Sequence, residues 1–213
     1  MVRIGRLILG AFIALAGLAT PAAAQNFDFY VLSLSWSPSW CAGNDRDGKS
    51  AQCDGRRPYT FITHGLWPQN ERGWPEYCAS REPDRVPSEL VRPYFDMMPS
   101  IGLAGYQWRK HGTCSGLDQR AYFETLRAAY RKVKLPPVIF DGKVPRRLAV
   151  DEIEALMTRA NPGLRRDGVA VTCDNGQLSE IRVCMSKSLD YRACAEVDRK
   201  SCRARMVSLP ALP

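Results

Sequence analysis

Strand-like and helix-like segments follow one another along this chain without regular alternation, which predicts an α+β domain. Two further observations shape that expectation. A length of 213 residues suits one domain with a substantial core, and no internal repeat or low-complexity linker marks a second. Eight cysteines, Cys41, Cys53, Cys78, Cys114, Cys173, Cys184, Cys194 and Cys202, form an even set with no CxxC pair, so they read as disulfide staples and not as a zinc ribbon or a redox pair.

Residues 1–24 stand apart from the fold. MVRIGR is a short cationic stretch, LILGAFIALAGLA an apolar run and TPAAA a small-residue ending suited to signal-peptidase cleavage, which predicts a signal peptide and a mature domain over residues 25–213. A spanning helix needs roughly 20 apolar residues, more than this run supplies, so no membrane attachment is expected after cleavage. An oxidising destination, periplasmic or extracellular, then accounts for the cysteines.

In the domain, FDFYVLSLSW at 27–36 alternates apolar and small polar side chains and predicts a half-buried strand ended by Ser37 and Pro38. PYTFITH at 58–64 predicts a second strand running into GLWP. SELVRPYFDMM predicts a helix, and residues 104–112 are read as helical around Gln107 and His111. Tyr122, Leu126, Ala129 and Val133 share one helical face, predicting an amphipathic helix over 118–133 that Pro136 and Pro137 stop. DEIEALMTRA predicts another, opened by Asp151. VAVTC and SEIRVCMS flank DNGQ, whose Asn-Gly step is a hairpin signal.

Losing Arg3 and Arg6 with the leader reduces Lys plus Arg from 30 to 28 against 22 acids, so the mature domain stays basic at about +6. Its basic doublets are scattered, which fits a folded surface with a mild attraction for polyanions, and equally a solvated surface without partner.

The chain has two histidines, His64 and His111. A lone histidine is more often structural. Two of them, reached from different elements, each near an aromatic and a glycine, are what acid and base work on a phosphodiester requires, because imidazole titrates near neutral pH. On a helix, Gln107 would share a face with Lys110 and His111, placing amide, ammonium and imidazole where an anion can sit. Lys110 would stabilise charge on phosphorus and favour the neutral form of His111. Trp67, three residues after His64 on a turn stiffened by Pro68, is positioned either to stack on a base or to fill the core.

These two stretches, FITHGLWP and YQWRKHGTC, resemble the two signature segments of the ribonuclease T2 family, and LSLSWSPSWC is similar to the family's first strand and cysteine. The resemblance implies an α+β fold around a central antiparallel β-sheet flanked by helices. It implies an exported, metal-independent endoribonuclease without cofactor, acting on single-stranded RNA through a 2′,3′-cyclic phosphate. By position, His111 would be the general base, His64 the general acid and Lys110 the stabiliser of the phosphorane. Trp67 would line a base site with Gln69 and Asn70 as neighbours. The pairs Cys41–Cys53, Cys78–Cys114, Cys173–Cys202 and Cys184–Cys194 are implied as well.

One departure matters: most members carry a glutamate where this chain has Gln107. The amide hydrogen-bonds but neither bears charge nor takes a proton, so an altered but competent catalyst is expected. Tyr106 stands where some members have a third histidine, so any phosphate contact there must come from a phenol. Two rival readings are a binding protein that holds RNA without cutting it, favoured by Gln107 alone, and a disulfide-stabilised structural protein with accidental histidines, which the paired segments oppose. No obligate protein partner is evident, and a monomer is expected.

Overall fold

The computed structural model describes residues 26–212, apart from the side chains at 138 and 139. The expected signal peptide lies outside the described residues. In chain order the elements are β1 (Phe29–Trp36), α1 (Ser37–Asn44), β2 (Phe61–Gln69), α2 (Ser88–Val91), α3 (Ile101–Lys110), α4 (Gln119–Lys132), α5 (Pro137–Phe140), β3 (Arg146–Ala149), α6 (Val150–Ala160), β4 (Val169–Asp174), β5 (Gln177–Met185), α7 (Ala195–Arg199) and β6 (Met206–Leu209).

The six strands form one sheet in the order β2-β1-β5-β6-β3, with β4 paired to β5. Its ladders are antiparallel except for one parallel pairing, Gln177 with Ser208. The β4–β5 hairpin turns at Asn175 and Gly176, both at positive φ (47° and 74°), as an Asn-Gly turn of this kind requires.

β1 was expected to be half-buried, but all eight of its residues are buried. It is a central strand covered on both faces. Tyr30, Leu32, Leu34 and Trp36 enter the main core with Leu66, Trp108, Tyr122, Phe123, Leu126, Ile153 and Met157. Phe29 and Val31 join a smaller cluster with Ala170, Cys184, Cys194 and Val197 on the opposite face.

β2 begins later and runs further than expected, through Gly65, Leu66, Trp67 and Pro68. Pro68 is tolerated because β2 is the sheet's edge strand. The SELVRPYFDMM helix is interrupted: α2 ends at Val91, and Arg92–Tyr94 form a single 3₁₀ turn; Arg92 keeps helical backbone, but Pro93 has no N–H to continue the α-helical ladder. Asp151 does not open α6; Ala149 is the N-cap, and Asp151 and Glu152 sit in the first turn against the positive helix end. α4 matches its periodicity and is capped by the Asp118 carboxylate, which accepts from Ala121 N–H at 2.7 Å. The four disulfides are Cys41–Cys53, Cys78–Cys114, Cys173–Cys202 and Cys184–Cys194, the pairs the resemblance implies.

α4 holds the edge strand from the core side. The wholly buried Tyr122 phenol donates to the Leu66 carbonyl at 3.0 Å. Tyr122→Phe keeps the ring and orphans that carbonyl, a loss of about 1–3 kcal/mol by the usual penalty for a buried unsatisfied group. Urea unfolding is expected to show it as a lower midpoint at unchanged slope.

Candidate active site

A single irregularity in β2 builds the site's floor. The register with β1 pairs Ser33 with Gly65 but Leu34 with Thr63, so His64 is an extra residue at a β-bulge. In a regular strand His64 and Trp67, three apart, would face opposite sides. The bulge puts both on one face while Phe61 and Leu66 stay in the core on the other. Ser33 and Ser35 of β1 and Glu180 and Arg182 of β5 share this face by register.

α3 supplies the facing wall. It starts at Ile101, three residues earlier than residues 104–112 suggested, and is capped by the Ser100 hydroxyl, which accepts from Leu103 N–H at 3.1 Å. The helix ends at Lys110, and His111 is its C-cap (φ −122°), with its backbone N–H still bonded to the Gln107 carbonyl at 2.9 Å. A 3₁₀ turn at Gly112–Ser115 and the Cys78–Cys114 bridge hold this end. Gly112 is required: a Cβ there would lie 2.4 Å from the Trp108 ring.

These walls enclose an open cleft of about 320 Å³ onto which His64, Trp67, Gln69, Tyr106, Gln107, Lys110, His111 and Arg182 face. Trp67 sits between the histidines. Its ring is stacked with His111 (centroids 5.2 Å, 29°) and edge-on to His64 (5.5 Å, 79°). Its indole N–H donates to Gln107 Oε1 at 2.8 Å, and the Arg182 guanidinium lies 5.1 Å from its ring centre. Gly65 makes that hydrogen bond possible, because a Cβ there would fall 2.2 Å from Gln107 Oε1 and 2.4 Å from Trp67 Nε1.

The two histidines have different surroundings. His64 Nδ1 bonds the Glu180 carboxylate, whose other oxygen accepts from Arg182 Nε at 2.9 Å and Nη2 at 2.7 Å. Burial alone would raise the Glu180 carboxyl, but the hydrogen bond and charge of His64, with Arg182, hold it well below the usual carboxylate range. His111 is pushed down to about 3, chiefly by burial, then by the Lys110 ammonium and by His64. Its Nδ1 is buried without a partner, so exchange with the cleft goes through Nε2. Lys110 lies 3.6 Å from Glu76; partial burial lowers it, but the Tyr106 hydroxyl and Glu76 outweigh this and hold it above its ordinary value.

Seven of the eight sequence-predicted catalytic and binding residues therefore meet at one cleft. Asn70 does not: its backbone N–H bonds the Gly73 carbonyl at 3.1 Å, closing a turn outside the lining. Gln69 lines the cleft and donates to the same carbonyl at 2.8 Å. Trp67, expected either to stack on a base or to fill the core, lines the cleft and is tied into its framework, and a second indole, Trp74, 48% exposed, lines the cleft too, with its N–H donating to Glu76 at 3.3 Å and the Lys200 ammonium 4.4 Å from its ring centre. Sequence reasoning passed over Trp74, Glu180 and Arg182. The last two carried a signal: opposite charges at alternate positions of one strand share a face. No group of three or more His, Cys, Asp or Glu side chains suited to a metal ion occurs among the described residues.

A model of the Ribonuclease T2 family matches residues 27–194. The chain belongs to the ribonuclease T2 family. A ribonuclease of Aeromonas hydrophila is 41% identical over 103 residues, covering 47% of this chain and 44% of that protein. A probable ribonuclease of Haemophilus influenzae is 28% identical over 179 residues, 78% of this chain and 61% of that one. The chain thus spans only about half the length of these T2 relatives. A solved RNase-related protein from Calystegia sepium shares the T2 fold, with a TM-score of 0.70 at 23% identity, covering 88% of this chain and 98% of that one.

His111 and Glu180 each bind fewer protons folded than unfolded. Stability is therefore full above the ordinary histidine value of 6.5 and falls as pH drops towards 3, while the unfolded His111 protonates and the folded one resists. Glu180 adds a second loss below its ordinary 4.5. Urea midpoints across this range should decline in acid, and His111→Asn should flatten the upper part of the decline. A second expectation concerns packing: Gly65→Ala should part Trp67 from Gln107, seen as altered indole fluorescence in a chain that remains folded by circular dichroism.

Proposed function

We propose that this protein is an exported endoribonuclease that cleaves single-stranded RNA by transphosphorylation. The observation that carries this reading is the pair of unlike histidines facing one cleft, separated by Trp67 and flanked by Lys110. His111, held neutral by burial and by Lys110, accepts the proton of the 2′-hydroxyl through Nε2. The 2′-oxygen bonds to phosphorus as the bond from phosphorus to the 5′-oxygen breaks, and His64 donates the proton that the leaving oxygen takes. Glu180 orients the His64 ring through Nδ1, leaving Nε2 for that transfer. The product ends are a 2′,3′-cyclic phosphate and a 5′-hydroxyl, and water with reversed histidine roles opens the cycle to a 3′-phosphate.

Charge on the phosphorane oxygens is met by the Lys110 ammonium and by Gln107. Because Oε1 of Gln107 is taken by Trp67, its Nε2 remains as a donor. Trp74 and Gln69 provide an aromatic face and an amide for the base. A second hollow of about 240 Å³, lined by Ser35, Trp40, Ile62, Pro99, Ser100 and Glu180, shares His64 with the cleft, on the side where the leaving nucleoside would lie. Four disulfides with no free cysteine among the described residues support an oxidising, periplasmic or extracellular destination. No described helix is long and apolar enough to cross a membrane.

With the oxidised protein, single-stranded RNA and excess EDTA, cyclic-phosphate or 3′-phosphate ends are expected by mass spectrometry. His64→Ala and His111→Ala should each lower the rate by at least about a hundredfold, the ordinary contribution of one acid or base. RNA bound but left whole would instead support a binding protein. Gln107→Glu keeps the bond from Trp67 and adds charge beside Lys110 and His111. It should shift the pH–rate profile, and an unchanged profile would make the side chain a spectator.

A further inference from the structure

Away from the catalytic cleft, a second concave surface of about 570 Å³ is rimmed by Arg57, Arg92, Arg127 and Arg131 over a floor of Pro93, Tyr94 and Phe95. One carboxylate, Asp96, lies in it and is already taken by both terminal nitrogens of Arg127. Arg127 is also fixed by Nη2 donating to the Pro93 carbonyl at 2.7 Å and by the Tyr94 ring, 5.1 Å from its guanidinium carbon. Arg57 lies 5.3 Å from the Tyr59 ring centre. Arg57, Arg92 and Arg131 are exposed, and no ion pair engages them among the described residues. Four guanidiniums thus share the hollow with one carboxylate, Asp96, whose hydrogen bonds go to Arg127, so positive charge stays in excess there and a further anion is attracted. A guanidinium's planar fork of donors fits phosphate oxygens better than a lysine's point charge does.

The hollow's position gives that anion a source. Phe95 and Asp96 line it, while Pro99 and Ser100, four residues further along the same loop, line the small hollow that shares His64. Extended chain spans at most about 3.6 Å per residue, so the two sites lie within a few nucleotides of each other along this loop. We propose that the arginine hollow binds the phosphates of an RNA strand that continues past the catalytic cleft. This inference rests on the RNA-cleaving reading and extends it: long strands gain contacts that a dinucleotide cannot reach.

The test compares the full oxidised chain with an Arg57→Ala, Arg92→Ala, Arg131→Ala triple variant, whose side chains are exposed and unpaired and whose fold is checked by thermal melting. Fluorescence anisotropy is read with a 2′-O-methyl oligonucleotide of roughly twenty residues, which binds without being cut. Each phosphate contact to a single strand contributes about 0.7 to the slope of log affinity against log salt, so three lost contacts should lower the slope by about 2 and the affinity at least tenfold in moderate salt. Cleavage of a dinucleoside phosphate should be unchanged. An unaltered slope and affinity in the triple variant would overturn the proposal. So would an equal loss in a control triple, Arg81→Ala, Arg159→Ala, Arg203→Ala, which removes the same charge elsewhere. Failure of the RNA-cleaving reading would appear separately, as an unmodified chain that leaves the dinucleoside phosphate whole, while the uncuttable oligonucleotide still reports on the arginines.

Discussion

The pairing of β2 with β1 carries one residue more on one strand than on the other, and that residue is His64. Everything else in the cleft depends on how this excess is absorbed. The bulge lets one short strand send Phe61 and Leu66 into the core and His64, Gly65 and Trp67 to the opposite face. A bulge weakens its ladder locally, and the surroundings supply what it gives up: Thr63 N–H bonds the Met97 carbonyl at 2.6 Å on the strand's outer side, and the Leu66 carbonyl receives Tyr122. Ser33 and Gly65 leave a low floor, and into that space the Trp67–Gln107 hydrogen bond is set.

From this geometry follows an electrostatic division. Two imidazoles facing one cleft would by themselves behave alike. Here one has an ionised carboxylate at its inner nitrogen, and the other has an apolar wall there and an ammonium beside it. The proposed acid and base roles thus follow from neighbours on β5 and α3, and Trp67 links the two halves by lying against both rings. Gln107 belongs to this framework as much as to the chemistry, since its carbonyl fixes the indole.

The sequence was legible where local physics decides. The α4 periodicity, the Asn-Gly hairpin and the apolar alternation of β1 all appear as elements, and the two unusual segments led to seven of the residues that line the cleft. It was less legible where partners are distant. The full burial of β1 comes from cover on its second face, which alternation cannot announce. Nothing near Trp67 in sequence reveals the guanidinium of Arg182 over its ring, and Glu180 lies 116 residues from the histidine it orients. The bulge itself is a mismatch between two strands and exists in neither alone.

The bridge between Cys78 and Cys114 has a consequence for when the site comes into being. Cys114 lies three residues past His111, and Cys78 follows Tyr77, whose backbone N–H holds the Lys110 carbonyl at 2.9 Å. The strap carrying Glu76 and the end of the helix carrying Lys110 and His111 are therefore sewn together by one oxidation. Reduced, the two thiols leave that seam open, and the strap is then held to the helix end by hydrogen bonding alone. The positions of Lys110 and His111 relative to Glu76 are thus secured by a covalent bond as well as by packing, which ties the shape of the cleft to the redox state of one cysteine pair.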